Sequence, residues 1–472
     1  MDNALVNALP EELLDRILSE TNPQTLTCLA QVSRKFHRLA ASRLRYASHT
    51  HHSNEDHHHF RQLLSTLIRR PDLAAHMELV DIDDMQWEET PPVDPYEGHF
   101  PDPVPPTDLA DLFCTAAQKL DVPDKDAFLT YLRKGKEAAE MALFLWLAPN
   151  LSKLVLRWMF SPSNRSICNL LHAAGEPVGD YEDAIRPLSR LHTLILTDES
   201  DVPFLPVLLR FYCLPSLRAV LVAGNPVAAP NEIPIVFEPP ANTRSLPLDR
   251  AAFTYARLPF TTLRYLVISR YNLKSLTLHW ADAGATFPSD AEDMLHPLKW
   301  HANTLERLAL DTGGATGLPA LLGLKQGSWL KALHISGQLL TGYPTYGGAR
   351  GDAAAGALGP APFLDPAQLL PGKTLEVLSL SSGTKGDAGF ERFLAALATA
   401  GAGKREDFPR LRQVEVWPVD GDGYCVSSAF LEGLRGVFAS WGVRLITVGE
   451  ERHALDFEWY RCGRVVQLGE AR

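Results

Sequence analysis

The densest run of titratable side chains in this sequence is His49, His51, His52, His57, His58 and His59. Imidazoles at such spacing could hold zinc, because a neutral ring nitrogen is the commonest biological metal ligand. Ser53, Asn54, Glu55 and Asp56 interrupt the run, so the stretch reads as a solvated polar connector, with no metal expected. Gly372-Lys373-Thr374 invites a phosphate-loop reading, but that loop needs a glycine where Ala367 stands, then a helix. Here the strand-like LEVLSL follows from Leu375, so a turn feeding a strand is expected instead. Asp83 and Asp84 sit in a polar stretch with no framing pattern. Neither a nucleophile elbow nor a His-Glu-x-x-His zinc helix is present. The cysteines, Cys28, Cys114, Cys168, Cys213, Cys425 and Cys462, are too far apart to pair as metal ligands and read as reduced thiols. The expectation is a non-catalytic protein with no catalytic residue, metal site or cofactor.

The elements around these residues say more. Leu9-Pro10-Glu11-Glu12 opens a helix: proline suits the first helical position, and the acids favour the positive end of the helix dipole. Leu13, Leu14, Ile17 and Leu18 then fall on one stripe, Asn22-Pro23 breaks it, and Leu26, Leu29, Ala30, Val32, Phe36, Leu39 and Ala40 resume the helical period. Such short amphipathic helices cannot bury all their apolar surface by themselves, so a partner protein is expected to cover the remainder.

From Leu9 to Tyr46, LPEELLDRILSETNPQTLTCLAQVSRKFHRLAASRLRY resembles an F-box without a gap. The resemblance implies that Leu9, Pro10, Leu13, Leu14, Ile17, Leu18, Leu29, Val32 and Phe36 meet the Skp adaptor protein or pack the module's core. Pro23 also matches. Thr21 stands where the family has a leucine, and Phe36 where tryptophan is frequent. The competing reading is a helical cap with no partner.

Downstream one pattern recurs: apolar, two variable, apolar, one variable, apolar. It runs as LSKLVL from Leu151, LHTLIL from Leu191, LRAVLV from Leu217, LKSLTL from Leu273, LERLAL from Leu305, LKALHI from Leu330, LEVLSL from Leu375, LRQVEV from Leu411 and VRLITV from Val443. MELVDI from Met77 and TRSLPL from Thr243 are weaker copies. The alternating final positions predict a short strand with one buried face. Helical patterns over 137–147, 166–173 and 390–398 lie between copies. LRYLVI from Leu263 competes with the Leu273 copy, which keeps the spacing and is preferred. One strand and one helix per unit stack into a solenoid with a parallel sheet. The expected fold is therefore an α/β solenoid, an irregular leucine-rich-repeat-like array of parallel strands, preceded by a small all-α F-box module. In domains, 1–48 is the box, 49–75 a His-rich connector and helix, and 76–472 the array. This arrangement is similar to fungal-type F-box proteins with a degenerate leucine-rich array.

Loop insertions are expected near 83–108, 226–242 and 342–362. Glu78 to Asp108 holds ten acidic residues, seven prolines and no Lys or Arg, and the other two segments are rich in Pro, Gly or Ala. Trp417, Trp441, Trp459 and Tyr460 concentrate near the end of the chain, where core or end-cap packing is the plainer reading than an interface.

With a formal charge of −11 and a pI near 5.8, the chain is a poor nucleic-acid binder by composition. No apolar run is long enough to span a bilayer, and the acidic N-terminal turns are unlike a signal peptide, so a cytoplasmic or nuclear protein is expected. The resemblance implies a substrate-recognition subunit of a Skp–cullin–F-box ubiquitin ligase, with the Skp adaptor, a cullin through it, and an unknown protein target as partners. A repeat scaffold outside any ligase, or a metal protein using the histidines, are the alternatives. Lys153, Arg218, Lys274, Glu306, Lys331, Glu376 and Arg412 are the variable strand residues expected on the concave face. Lys274, Glu306, Lys331, Glu376 and Arg412 among them are the candidate target-binding set.

Overall fold

The computed structural model describes residues 9–19, 21, 23–51, 53–82, 104–157, 165–175, 186–198, 211, 214–224, 248–254, 272–279, 298, 301, 303–311, 329–336, 365–370, 373–381, 388–403, 406–417 and 427–447. Its contacts divide the chain into two compact units. One comprises Met1–Ile195 with Phe204–Leu217, and the other Leu196–Pro203 with Arg218–Arg472.

The first unit opens with three helices: α1 (Glu11–Ser19), α2 (Pro23–Val32) and α3 (Arg34–Tyr46). The helix starts one residue later than expected: Pro10 stands just before it, its carbonyl accepting the Leu14 amide at 3.1 Å. Thr21, the departure from the leucine pattern, closes α1 instead: its hydroxyl donates to the Ile17 carbonyl at 2.7 Å. Ser33 separates α2 from α3 because its Oγ accepts the Phe36 amide at 3.2 Å, satisfying a helix N-terminal donor. Leu14, Leu18, Leu26, Phe36 and Ala40 form the buried core of this bundle, with Leu9, Leu29, Ala30 and Leu39 packed partly against it.

Next come β1 (Ser48–His51), α4 (Ser53–Arg69), the short α5 (Pro71–Ala74) and β2 (Leu79–Ile82). They are followed by α6 (Thr107–Gln118), α7 (Lys125–Arg133), α8 (Glu137–Leu147), β3 (Lys153–Arg157) and α9 (Arg165–Gly175), and β4 (Thr193–Asp198) spans the boundary after Ile195. β1, β2 and β3 pair in chain order, all parallel. The helical stretches 137–147 and 166–173 form as read. Helix α6 begins within the expected 83–108 insertion, and α7 buries Phe128, Leu129 and Leu132 on one face.

The histidine-rich stretch is only partly solvated: His58 and His59 are exposed, while His49, His51 and His57 are withdrawn from water. His49 and His51 stand in β1 in register with Val80 and Ile82, so imidazoles occupy rungs that aliphatic side chains fill in the next strand. His51 is only 1% exposed. Rings cluster there: His51 lies 4.6 Å from Phe60, His49 5.3 Å from Phe144, and Phe60 5.5 Å from Phe144, centroid to centroid. Burying polar rings requires polar partners, and α8 supplies them. Glu137 Oε1 is 2.6 Å from His51 Nε2, and Glu140 Oε2 is 3.1 Å from His57 Nε2. Arg61 Nε donates to both Glu140 oxygens at 2.8 and 2.9 Å, and its terminal nitrogen donates to the Gly135 carbonyl at 3.1 Å. Gly135 has φ +68, a left-handed turn after α7 that an L side chain would strain. A sequence reading sees polarity here; only the fold shows that the polar groups face one another.

The second unit carries β5 (Ala219–Gly224), β6 (Arg250–Thr254), β7 (Ser275–His279), β8 (Arg307–Asp311) and β9 (Ala332–Ser336). It continues with α10 (Pro366–Leu369), β10 (Val377–Ser381), α11 (Ala388–Gly403), β11 (Gln413–Trp417), α12 (Ser428–Ser440) and β12 (Arg444–Thr447). From β5 to β12 every strand pairs with its chain neighbour, all parallel. The motif leucines sit where the period predicted: Leu276, Leu308, Leu333 and Leu378 share one rung, each buried. α11 contains the expected 390–398 helix, and Lys373–Thr374 is a turn whose threonine hydroxyl donates to the Leu330 carbonyl at 2.9 Å.

Two copies are shifted. The strand expected from Thr243 is β6, built on Leu248, Ala251 and Phe253; small Ala251 hides the pattern, and 243–247 lie outside the described residues. In β12, Leu445 and Thr447 align with Val414 and Val416, so the VRLITV motif is one residue out of step with its strand. A one-residue slip exchanges the two faces, and the copy's short last strand decides the register by packing. The region of LRYLVI, the insertions 226–242 and 342–362, and Trp459 and Tyr460 lie outside the described residues. Trp441 is buried against Phe438, ring centroids 5.0 Å apart.

Candidate functional site

The box helices present two neighbouring stripes. On α1, Leu14 and Leu18 point into the core at 1% and 0% exposure, while Leu13 and Ile17 face outward at 49% and 53%. Both pairs are one helical turn apart, so the stripes run side by side. Val32, at the end of α2, is 64% exposed, and Cys28 one turn earlier is exposed as well. Pro10 is exposed on the same flank as Leu13 and Ile17. Three large apolar side chains in so small a bundle are an unusual surface, since each fully buried would contribute roughly 1.5–3 kcal/mol. The bundle holds its shape through polar ties: Lys35 Nζ donates to the Leu9 carbonyl at 2.9 Å, and Arg38 pairs with Glu11.

The nine box residues therefore separate. Leu13, Ile17, Val32 and Pro10 are outward, Leu14, Leu18 and Phe36 are core, and Leu9 and Leu29 lie between.

The target-binding candidates lie elsewhere than on the sheet face. Lys274, Glu306, Lys331, Glu376 and Arg412 each stand one residue before a strand. Their carbonyls brace the following strand: the Glu306 and Arg307 amides both donate to Lys274 O, at 2.8 and 2.9 Å, and the Glu376 and Val377 amides to Lys331 O, at 2.7 and 3.0 Å. With Arg218 and Asp249 these residues make a row across the strand starts, alternating in sign: Arg218, Asp249, Lys274, Glu306, Lys331, Glu376, Arg412. Lys274 pairs with Asp249 at 3.1 Å and Lys331 with Glu306 at 2.9 Å, both pairs half exposed. The sequence reading expected these residues on the concave sheet face; they stand instead at the strand starts, one position before each strand. The face opposite the leucines is buried along Ala252, Thr277, Ala309, His334, Ser379 and Glu415, none above 4% exposed. His334 Nδ1 lies 2.9 Å from Ser379 Oγ within it. Lys153, in the first unit, is half-buried as the first residue of β3.

A groove of about 500 Å³ in the first unit is lined by Ala75, His76, Glu78, Asn150, Ser152, Arg190 and His192. Its floor is tied together: Arg190 donates to Asn150 Oδ1 at 2.8 Å, and Asn150 Nδ2 to the Ala75 carbonyl at 2.6 Å. None of the sequence-derived candidates lines it. Among the described residues no cluster of three or more His, Cys, Asp and Glu forms a metal-binding group, and no helix is long and apolar enough to cross a membrane. Burial pushes the Cys114 thiol up from its ordinary pKa.

Compared with known families, residues 6–49 match the F-box-like family model. Among curated proteins no sequence matches this chain.

Proposed function

We propose that this protein is a substrate receptor of a Skp–cullin–F-box ubiquitin ligase. The F-box-like domain docks on a Skp adaptor and reaches a cullin through it, and the repeat strands hold a protein target. The observation that carries this reading is the outward stripe of Leu13 and Ile17 with Val32, on a module that matches the F-box-like family. An adaptor helix covering those side chains would remove from water the apolar surface that the bundle leaves open. The catalytic contribution is positional: a tethered target lysine meets the charged ubiquitin carrier at a raised effective concentration, and the chemistry belongs to other subunits. In this reading each strand with its connection is one unit of a leucine-rich-repeat-like solenoid, the protein is not itself an enzyme, needs no cofactor, and works in the cytoplasm or nucleus.

The test is co-purification of the full chain with a Skp adaptor. Wild type is expected to elute as a stable complex. Leu13→Asp with Ile17→Asp is expected to lose the adaptor while melting like wild type. Adaptor binding that survives this double change overturns the assignment.

A further inference from the structure

The row of strand starts in the second unit has a charge pattern that the net charge of the chain conceals. Taking the residue before each strand and the first strand residue, from Arg218 through Arg444, seven side chains are basic (Arg218, Arg250, Lys274, Arg307, Lys331, Arg412, Arg444) and three acidic (Asp249, Glu306, Glu376). The rim is thus net positive on a chain of formal charge −11.

Two of the three acids are already used, Asp249 by Lys274 and Glu306 by Lys331. Arg250, Arg307, Arg412 and Arg444 are exposed, and among the described residues none of them forms an ion pair. Solvated arginines alone would be unremarkable. Trp329 changes the reading, because it is 56% exposed and lies two residues before Lys331 on this same rim. An exposed tryptophan on a rim that also carries exposed arginines is the composition that interface hot spots favour. The next rung of the sheet, Ala252, Thr277, Ala309, His334, Ser379 and Glu415, is buried.

We infer that this rim is the surface that takes the target, and that its ligand is an extended anionic peptide segment with an apolar residue seated on Trp329. The inference rests on the receptor reading above and names the partner chemistry for it. Geometry sets a spacing. Alternate strands of a sheet are about 10 Å apart, which roughly three residues of extended chain span at ~3.3 Å each. Arg250 and Arg307 begin alternate strands, as do the residues following Lys274 and Lys331. A carboxylate or phosphate at every third residue of the segment therefore meets a cation in turn, through charge-assisted hydrogen bonds.

The test uses the purified full chain and labelled 15-residue peptides followed by fluorescence anisotropy. One peptide carries Glu at every third position with a central Leu, a second replaces Glu with phosphoserine, a third with Lys, and a single-stranded oligothymidine is the fourth probe. Saturable binding is expected for the Glu peptide, the phosphoserine peptide or both, which separates carboxylate from phosphate as the natural source, with none for the Lys peptide. Arg307→Glu and Trp329→Ala are each expected to weaken that binding at least tenfold, and Arg307→Lys to restore most of it. Absence of binding to both anionic peptides, equal binding of the Lys peptide, variants that bind like wild type, or tighter binding of the oligothymidine overturns the proposal. Adaptor co-purification on the same preparations keeps the two readings apart: a retained adaptor with no peptide binding sinks only the rim, whereas a lost adaptor with intact peptide binding sinks only the ligase assignment.

Discussion

His51 Nε2 and Glu137 Oε1 stand 2.6 Å apart with both side chains 1% exposed, joining the first strand of the parallel sheet to a helix 86 residues later. The contact fixes how the chain leaves the box helices. β1 follows directly on α3, and its two inward rungs are histidines whose neighbours in β2 are Val80 and Ile82. The ring's other nitrogen, Nδ1, is buried with no hydrogen-bond partner, so the residue depends on Glu137 for its polar satisfaction.

Removing one partner therefore strands the other. Glu137→Ala is expected to cost about 3–5 kcal/mol, because a buried polar group loses its counterpart. Replacing both, His51→Phe with Glu137→Leu, is expected to recover most of that loss. Urea unfolding followed by far-UV circular dichroism reads both values. Glu137→Ala melting like wild type would show that the contact is not structural.

The two stripes of α1 predict opposite phenotypes. Leu18→Ala, at a site with 0% exposure, is expected to destabilise the box by about 2–5 kcal/mol through lost transfer energy and the cavity left behind. Ile17→Ala, one position away and 53% exposed, is expected to leave stability within about 0.5 kcal/mol. Thermal melts separate them, and the same two proteins should show the reverse ranking when tested per folded molecule for adaptor affinity.

Cys28 and Cys114 should differ as chemical probes. Cys114 is buried, its Sγ 3.7 Å from the Leu129 carbonyl, and burial raises its pKa, leaving little reactive thiolate. Cys28 is exposed one turn from Val32. Maleimide labelling read by peptide mass spectrometry is expected to modify Cys28 quickly and Cys114 only on unfolding. Bound adaptor is expected to slow Cys28 at least tenfold, and unchanged labelling in the complex would place the adaptor elsewhere.

Asp72 gives a local pH marker. Its carboxyl accepts hydrogen bonds from Arg70, at 2.9 Å from Nε and 2.6 Å from the terminal nitrogen, which lowers its pKa below the ordinary carboxylate value. A depressed pKa means the interaction is present above the unfolded pKa and fades as pH falls through the folded one. In an NMR titration the Asp72 midpoint should lie below that of an exposed aspartate, and Arg70→Ala should return it. Global stability should barely follow this pH range, because the pair is fully exposed.

Much of this was open to reading in the residues. Leu14 and Leu18 at helical spacing, Pro10 and Pro23 at the starts of the first two helices, and leucines at alternating positions after each turn dictate local structure, since 3.6- and 2-residue periods follow from backbone geometry alone. The outward Leu13 and Ile17 could be listed from sequence together with Leu14 and Leu18, but not separated from them; only the angle at which α1 meets its neighbours assigns one stripe to the core. Tertiary packing likewise decided the rest. It drew His51 and His57 out of the histidine run into buried contacts by supplying Glu137 and Glu140 from far along the chain. It slid β12 by one residue against its motif, and it gathered Arg218, Asp249, Lys274, Glu306, Lys331, Glu376 and Arg412 into one row at the strand starts. Residues that far apart carry no mutual signal along the chain, because their energies of contact exist only once the strands have stacked.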